Sequence, residues 1–433
     1  MQNITGERLK EKKDSSWLLD NLVTIIFVLF TLVGFVVSTG VSVNYFLNEL
    51  TSRIFRNSFL VLSLIIPVLA GLGLNFGIVI GAMAGQMAIA IVRYYGLGGV
   101  SGLLLCFVIA LPIAALFGYL AGLLYNKTRG QEMIASLIVG FFANGIYQFI
   151  FLFVVGAVIT VSATHPMINP SGIGIRMTVD LAPLKDGGLK YALDSILKIP
   201  FMWAVLILSV FILGLILFKI FRNKNRHNIT SLKRKIISYI YIAACILAII
   251  ISIIAIVTNS SLMKVQEVPA VTALLIIALC IFNELIMKTK LGQDFRSVGQ
   301  NQHIAAVSGI NVDRTRIIAT VMSTVFAAWG QIIFLQNMGT LNTYNAHTQI
   351  GMFSVASLLV GGASTSKANN KHAIIGTILF NSMFIMSPEI GKALFGNALL
   401  GEYFRTFMVY GVIGLALGLY VWKTNKSLKI TID

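Results

Sequence analysis

The stretch from Val100 to Tyr125 reads VSGLLLCFVIALPIAALFGYLAGLLY and contains no charged residue. About 20 apolar residues in a helix cross the roughly 30 Å hydrocarbon core of a bilayer, so this stretch predicts a transmembrane helix. Similar runs recur along the chain, at Leu18–Val37, Phe59–Leu74, Gly77–Tyr94, Met133–Val158, Phe201–Ile220, Ile237–Val257, Val268–Met287, Ile317–Leu335, Ile350–Gly362, Ala373–Met386 and Phe404–Trp422. By this length criterion, the sequence predicts an all-α, polytopic bundle of about 10–12 spans in a single membrane domain.

The composition favours a membrane protein and excludes a soluble one. Hydrophobic residues make up 57% of the 433 residues and charged residues 11%, whereas soluble domains carry about 25% charged residues. A chain with so few charges would expose large apolar patches in water and aggregate. The polar start and the length of the first run predict a retained first span rather than a cleaved signal peptide.

The positions of the basic residues predict the orientation. An even number of spans places both termini on one side, and most of the 33 lysine and arginine residues lie in segments on that side. Because basic segments stay in the cytoplasm, we expect cytoplasmic termini, with a tail at 1–17, an external loop at 161–200 and a cytoplasmic loop at 288–316. The net charge of +17 then sets topology, and nucleic-acid binding is not expected.

The cytoplasmic loop is the most informative polar segment, and its central part, 289–312, reads TKLGQDFRSVGQNQHIAAVSGINV. Asn301 is a good N-cap, since its side chain can accept a hydrogen bond from a free amide of the first helical turn. The sequence predicts a short helix over Gln302–Ser308, stopped by Gly309 in the left-handed conformation, and Gly299 ending a preceding turn in the same way. A helix this short is marginal in water, so we expect it to pack on something.

This loop resembles the EAA-like cytoplasmic loop of ABC importer permeases of the ribose, simple-sugar and nucleoside type, in the branched-chain amino acid/sugar permease family. The matching residues are Thr289, Gly292, Arg296, Gly299, Asn301, Ala305, Gly309 and Ile310, while Ser297 and Ile304 replace alanines. The resemblance implies that the helix sits in a groove of an ATPase subunit and passes its motion to the spans. It implies coupling roles for Gly292, Arg296, Gly299, Asn301, Ala305 and Gly309, with Ala305 facing or flanking the groove.

Weaker likenesses extend the resemblance over Phe59–Val158 and Val268–Trp422. The stretch Gly130–Leu137 is similar to a segment of the nucleoside-type permeases. The family has one span where this chain has three apolar runs, which makes Phe201–Val257 an additional hairpin with a basic cytoplasmic loop.

The sequence gives no reason to expect an enzyme, a metal site or a cofactor. The stretch GGASTSKA at 361–368 imitates a phosphate-binding loop, but Ser366 and Ala368 flank Lys367 where the motif requires glycine and a hydroxyl residue. ATP hydrolysis is therefore expected on a separate ATPase subunit.

Neutral hydrogen-bonding side chains, rather than charges, mark the predicted spans. A charge at mid-membrane costs at least about 2.5 kcal/mol, and ionisable residues are nearly absent from the apolar runs. The candidates for a solute pathway are Asn75, Gln86, Asn144, Gln331 and Asn337, and Gln148, Gln336 and Asn381 share the same chemistry. Such groups suit a neutral polar solute, although each one alone is as readily explained by hydrogen bonds between helices.

Taken with the resemblance, these features predict the membrane-spanning permease subunit of an ATP-driven importer for a nucleoside or simple sugar in a prokaryotic cell membrane. The expected partners are an ABC ATPase, a second permease of the same or similar sequence, an external solute-binding protein and membrane lipid. The alternatives are a secondary carrier or a channel for a neutral solute.

Overall fold

The computed structural model describes residues 22–37, 42–182, 187–224 and 232–430. The predicted tail at 1–17, the start of the first apolar run and the centre of the basic loop in the additional hairpin lie outside the described residues.

The described chain is mainly helical, with two small antiparallel sheets. The helices are α1 Leu22–Val37, α2 Val43–Ser63, α3 Ile65–Leu69, α4 Ile78–Tyr94, α5 Gly99–Lys127, α6 Glu132–Phe149, α7 Phe201–Lys224, α8 Leu232–Val257, α9 Ala270–Ile286, α10 Lys290–Gln300, α11 Gln302–Val307, α12 Val312–Met338, α13 Ala346–Val360, α14 Asn370–Phe395 and α15 Ala398–Ile430. The strands are β1 Thr178–Asp180, β2 Lys198–Ile199, β3 Val268–Pro269 and β4 Thr340–Asn342. Helix α6 continues through a π-helical turn at Ile150–Val154 to Ala157.

The helices confirm an all-α polytopic membrane protein. Every apolar run predicted from the sequence overlaps a helix. Within the described residues, seven helices are long and apolar enough to cross a membrane, and an eighth span results if α9 and α10, which meet at a 76° bend, count as one. Helices α1, α4 and α13 are apolar but shorter. The larger number of about 10–12 spans and the cytoplasmic orientation of the termini stay predictions.

Two predicted spans have wrong boundaries. Helix α2 begins at Val43, well before the predicted start at Phe59. The first half of α2 was not recognised as part of an apolar run because it carries two charged residues, Glu49 and Arg53. In the helix these residues form an ion pair at 3.2 Å. The run at Ala373–Met386 is too short, because α14 is a continuous helix from Asn370 to Phe395.

The two polar segments lie at opposite ends of helix α12. Its first residues follow the 288–311 segment, and its last residues lead into β4, which pairs with β1 of the 161–200 segment. Strand β2 of that segment pairs with β3 in the same antiparallel manner. A 27-residue helix is about 40 Å long, so α12 spans the distance between the two predicted sides of the membrane.

Helix α12 is also the centre of the core, where α2, α4 and α5 pack around it. Its residues Ala327, Ala328 and Ile332 are fully buried. Helices α7 and α8, in contrast, contact chiefly each other. In each of them, only 11% of the apolar stretch long enough to cross a membrane is buried. Their exposed side chains, such as Phe211 and Phe218, form an apolar outer surface of the kind that lipid covers.

Candidate coupling surface and solute cavity

The coupling segment, residues 289–311, is built from two capped helices. The hydroxyl of Thr289 accepts a hydrogen bond from the amide of Gly292 at 3.3 Å and caps α10. The side-chain oxygen of Asn301 accepts one from the amide of Ile304 at 3.0 Å and caps α11. Gly309 follows α11 with φ of +83°, the left-handed conformation that favours glycine. The predicted cap and stop of α11 are therefore present.

The predicted role of Gly299 as a left-handed stop is wrong. Gly299 lies inside α10, and its φ is not positive. A Cβ atom at this position would lie 2.2 Å from the carbonyl oxygen of Leu69 at the end of α3. Gly292 has a similar reason to lack a side chain, because its Cβ would lie 2.1 Å from the carbonyl oxygen of Ile286. Both glycines permit close backbone packing of the coupling segment.

Ala305 also differs from the expectation, since it does not face outward. It is 2% exposed and packs in a small apolar cluster with Val298 and Val312. Helix α11 instead exposes Ile304 (63%) and Val307 (78%). These two side chains are three positions apart and so share one face of the helix. Ile304 departs from the family pattern, yet it forms half of this exposed apolar face.

The other predicted coupling residue, Arg296, is exposed on α10. Nothing in the structure tests the coupling roles of the six residues, which stay predictions.

Sequence reasoning missed a buried ion pair beneath the coupling segment. Arg316 of α12 is fully buried and donates to the carboxylate of Glu132 at 2.7 Å. It also donates to the carbonyl oxygen of Tyr125 at 3.1 Å and to the side-chain oxygen of Gln302 at 3.3 Å. Arg316 therefore joins the end of α5 and the first residues of α6 and α11.

A second ion pair joins the same parts of the chain at the surface. Arg129, between α5 and α6, contacts Asp313 in the first turn of α12, and both side chains are about half exposed. The side chain of Asn126 donates to the carbonyl oxygen of Asp313 at 2.9 Å. The turn between α5 and α6 is thus fastened to α12 by one exposed and one buried pair.

A cavity of about 440 Å³ opens between α4, α6, α13, α14 and α15. Its volume lies in the range of about 300–1,000 Å³ that is usual for small-molecule sites. The lining residues are Phe76, Val79, Leu137, Gly140, Phe141, Thr348, Gln349, Met352, Phe353, Phe384, Arg405, Thr406, Val409 and Tyr410. Five aromatic rings and a few polar groups therefore face the same space.

Arg405 is a charged residue in a span, although the spans are expected to be almost free of charge. It lies in the cavity wall on α15, with its guanidinium carbon 4.4 Å from the centre of the Phe384 ring. Its charge is compensated by an ion pair with Glu402 on the same helix. A cation over an aromatic face is also stabilised by the ring electrons. The wall thus offers a guanidinium without a large net charge.

Two of the predicted pathway residues meet in a buried network next to the cavity. The Gln86 side-chain oxygen accepts from the Tyr147 hydroxyl at 2.8 Å and lies 3.0 Å from His347 Nδ1. The other ring nitrogen of His347 lies 2.6 Å from the Asn144 side-chain oxygen. His347 precedes Thr348 of the cavity wall. His347 lies between two predicted apolar runs, so the sequence did not single it out, but it is fully buried.

The remaining pathway candidates lie elsewhere, and none of the five lines the cavity directly. Asn75 accepts from the amide of Gly77 at 2.9 Å in the break before α4. Asn337 donates to Asp194 at 2.8 Å near the end of α12. Gln331 is fully buried in α12, and its side-chain amide has no hydrogen-bond partner among the described residues.

Comparison with known protein families identifies the chain. The family described as branched-chain amino acid transport system / permease component matches residues 153–417, which is more than half of the sequence. The chain belongs to this permease family. No solved structure matches the chain.

Individual relatives of this permease are transport proteins from bacteria. It is 28% identical over 145 residues to the xylose transport system permease protein XylH of Haemophilus influenzae, covering 34% of this chain and 36% of the relative. It is 30% identical over 162 residues to the probable ABC transporter permease protein YphD of Escherichia coli, covering 37% and 47%. The nucleoside ABC transporter permease protein NupB of Lactococcus lactis is 29% identical over 108 residues, covering 25% and 28%. The permease thus spans less than half the length of each of these relatives.

Proposed function

We propose that this permease is the membrane-spanning subunit of an ATP-driven importer for a neutral polar solute. The observation that carries the proposal is the exposed apolar face of α11, formed by Ile304 and Val307 on a helix capped at both ends. Two exposed apolar side chains three positions apart on a helix are the kind of anchors by which a helix lies in the groove of a partner protein. We assign this face to an ABC ATPase.

The assignment of hydrolysis to another subunit rests on the sequence around Lys367. Lys367 is preceded by Ser366 and followed by Ala368, whereas a phosphate cradle requires glycine before the lysine and serine or threonine after it. A second permease copy, or a homologue, and an external solute-binding protein complete the proposed complex. With both termini in the cytoplasm of a prokaryotic cell, α10 and α11 face the ATPase and the 161–200 segment faces the binding protein.

The cavity supports a nucleoside or a simple sugar as the solute. Aromatic faces such as those of Phe353 and Phe384 pack against the flat or apolar faces of such molecules, and Thr348, Gln349 and Thr406 supply neutral donors and acceptors. The relatives named for xylose and nucleosides agree with this chemistry.

The test is uptake by proteoliposomes that contain the permease, the ATPase encoded nearest to its gene and the corresponding binding protein. We expect import of labelled nucleoside or pentose only when ATP is available to the ATPase. Uptake by the permease alone, driven by a proton or sodium gradient, would instead support a secondary carrier. Equilibration without either energy source would support a channel.

A further inference from the structure

Arg316 occupies a position between the coupling segment and the cavity. Its guanidinium contacts Gln302, the first residue of α11, and Glu132, the first residue of α6. Helix α6 then continues to Leu137, Gly140 and Phe141 in the cavity wall. One buried side chain therefore connects the exposed surface assigned to the ATPase with a helix that lines the space assigned to the solute.

The burial of this pair makes it a persistent link. The Arg316 side chain is 0% exposed and that of Glu132 is 11% exposed. When a buried pair loses one partner, the other charge is left without compensation, so the pair separates rarely. The contact at 2.7 Å is also in the range of strong, charge-assisted hydrogen bonds. A displacement of α12 at Arg316 must therefore move the start of α6 or break this pair.

The neighbouring Arg129–Asp313 pair gives an internal comparison. It joins the same two parts of the chain, but its side chains are 52% and 54% exposed. Pairs exposed to this degree are screened by water and salt and contribute little. Among the described residues, the Arg129 and Asp313 side chains pair with each other and not with α11. The buried pair differs, because Arg316 also donates to Gln302 of α11.

We propose that Arg316 and Glu132 transmit the movement of α11 to the cavity wall, with Gln302 as the contact on the α11 side. The pair acts as a positioning element, since neither residue lines the cavity or lies on the exposed face of α11. The inference rests on the proposed function, because it requires an ATPase that moves α11 and a solute in the cavity. The competing explanation is an ion pair that only holds α6 against α12.

The experiment compares Gln302→Ala and Glu132→Gln with the matched control Asp313→Asn in reconstituted complexes. The readouts are solute uptake, ATP hydrolysis stimulated by the binding protein, the amount of assembled ATPase and the melting temperature. Gln302→Ala removes the contact to α11 but leaves the Arg316–Glu132 ion pair in place, so it stays informative even if Glu132→Gln fails to fold.

If the pair transmits the movement of α11, the Gln302→Ala permease should bind the ATPase, and the complex should hydrolyse ATP, as the wild type does. The same is expected of Glu132→Gln if that variant folds. Uptake per ATP should fall by about fivefold, which is typical of a lost coupling contact, and Asp313→Asn should behave as the wild type. Unchanged uptake per ATP in Gln302→Ala would overturn the proposal. A parallel fall of uptake, hydrolysis and melting temperature would overturn it too, since that is the result for a purely structural pair. If the wild-type complex imports nothing, the proposed function itself has failed.

Discussion

Gly71 and Gly299 face each other where the break after α3 meets α10, and a Cβ atom on Gly71 would lie 2.8 Å from the Cα atom of Gly299. Gly71 also has φ of +77°, a conformation that other residues adopt only with strain. The contact joins the coupling segment to the end of the α2–α3 helix pair. Its position explains why a residue inside a regular helix has to be glycine.

This contact predicts that Gly299→Ala destabilises the coupling segment. The added methyl group overlaps the Leu69 carbonyl oxygen, and overpacking of this kind costs about 1–3 kcal/mol. We expect a lower melting temperature of the purified permease and faster proteolysis within 288–311. The control is Gln300→Ala at the next, exposed position. Equal stability of the two variants would show that the segment does not pack on α3 as described.

The orientation can be checked with single cysteines in a chain whose Cys106, Cys245 and Cys280 have been replaced. Ser171→Cys in the 161–200 segment should react with an impermeant thiol reagent only from outside intact cells. Ser308→Cys at the end of α11 should react only in inverted vesicles. Both positions are exposed, and the distribution of basic residues sets the expected sides. External labelling of Ser308→Cys would reverse the topology.

If the cavity binds the solute, as proposed, a change in the cavity wall should change the affinity for that solute. Gln349→Ala removes a neutral donor and acceptor from the lining, and one lost hydrogen bond of about 1 kcal/mol raises the KM of uptake about fivefold. The maximal rate and ATPase assembly should stay unchanged, because binding of the ground state alone is weakened. Gln266→Ala, at an exposed loop position, is the control. An unchanged KM in Gln349→Ala would place the solute elsewhere.

Local features of the coupling segment could be predicted from the sequence because their causes are local. Asn301 caps the helix that follows it directly, and the left-handed Gly309 ends the same helix. The helices themselves follow from apolar runs of sufficient length. The start of α2 could not be found in this way, because Glu49 and Arg53 neutralise each other only once the helix has formed.

The features that the sequence did not reveal depend on residues far apart in the chain. Arg316 and Glu132 are separated by 184 positions, and neither position has a spacing that indicates its partner. Gly299 fits the family pattern, but the reason for glycine there is the distant Leu69 carbonyl. Ala305 also fits the family pattern, but it is buried against Val298 and Val312. A charged residue introduced at 305 would therefore disturb this local packing and would not test docking to the ATPase.

The central claim, that α11 docks an ATPase through its exposed apolar face, is tested most directly by the affinity between the two purified subunits. The variant is Ile304→Asp, and the control is Ala306→Asp, an exposed position on a different side of the helix. We expect Ile304→Asp to keep the melting temperature of the permease but to raise the Kd for the ATPase by about tenfold or more, as loss of a central interface residue does. Ala306→Asp should change it much less. Unchanged affinity for Ile304→Asp, with the fold intact, would contradict the account.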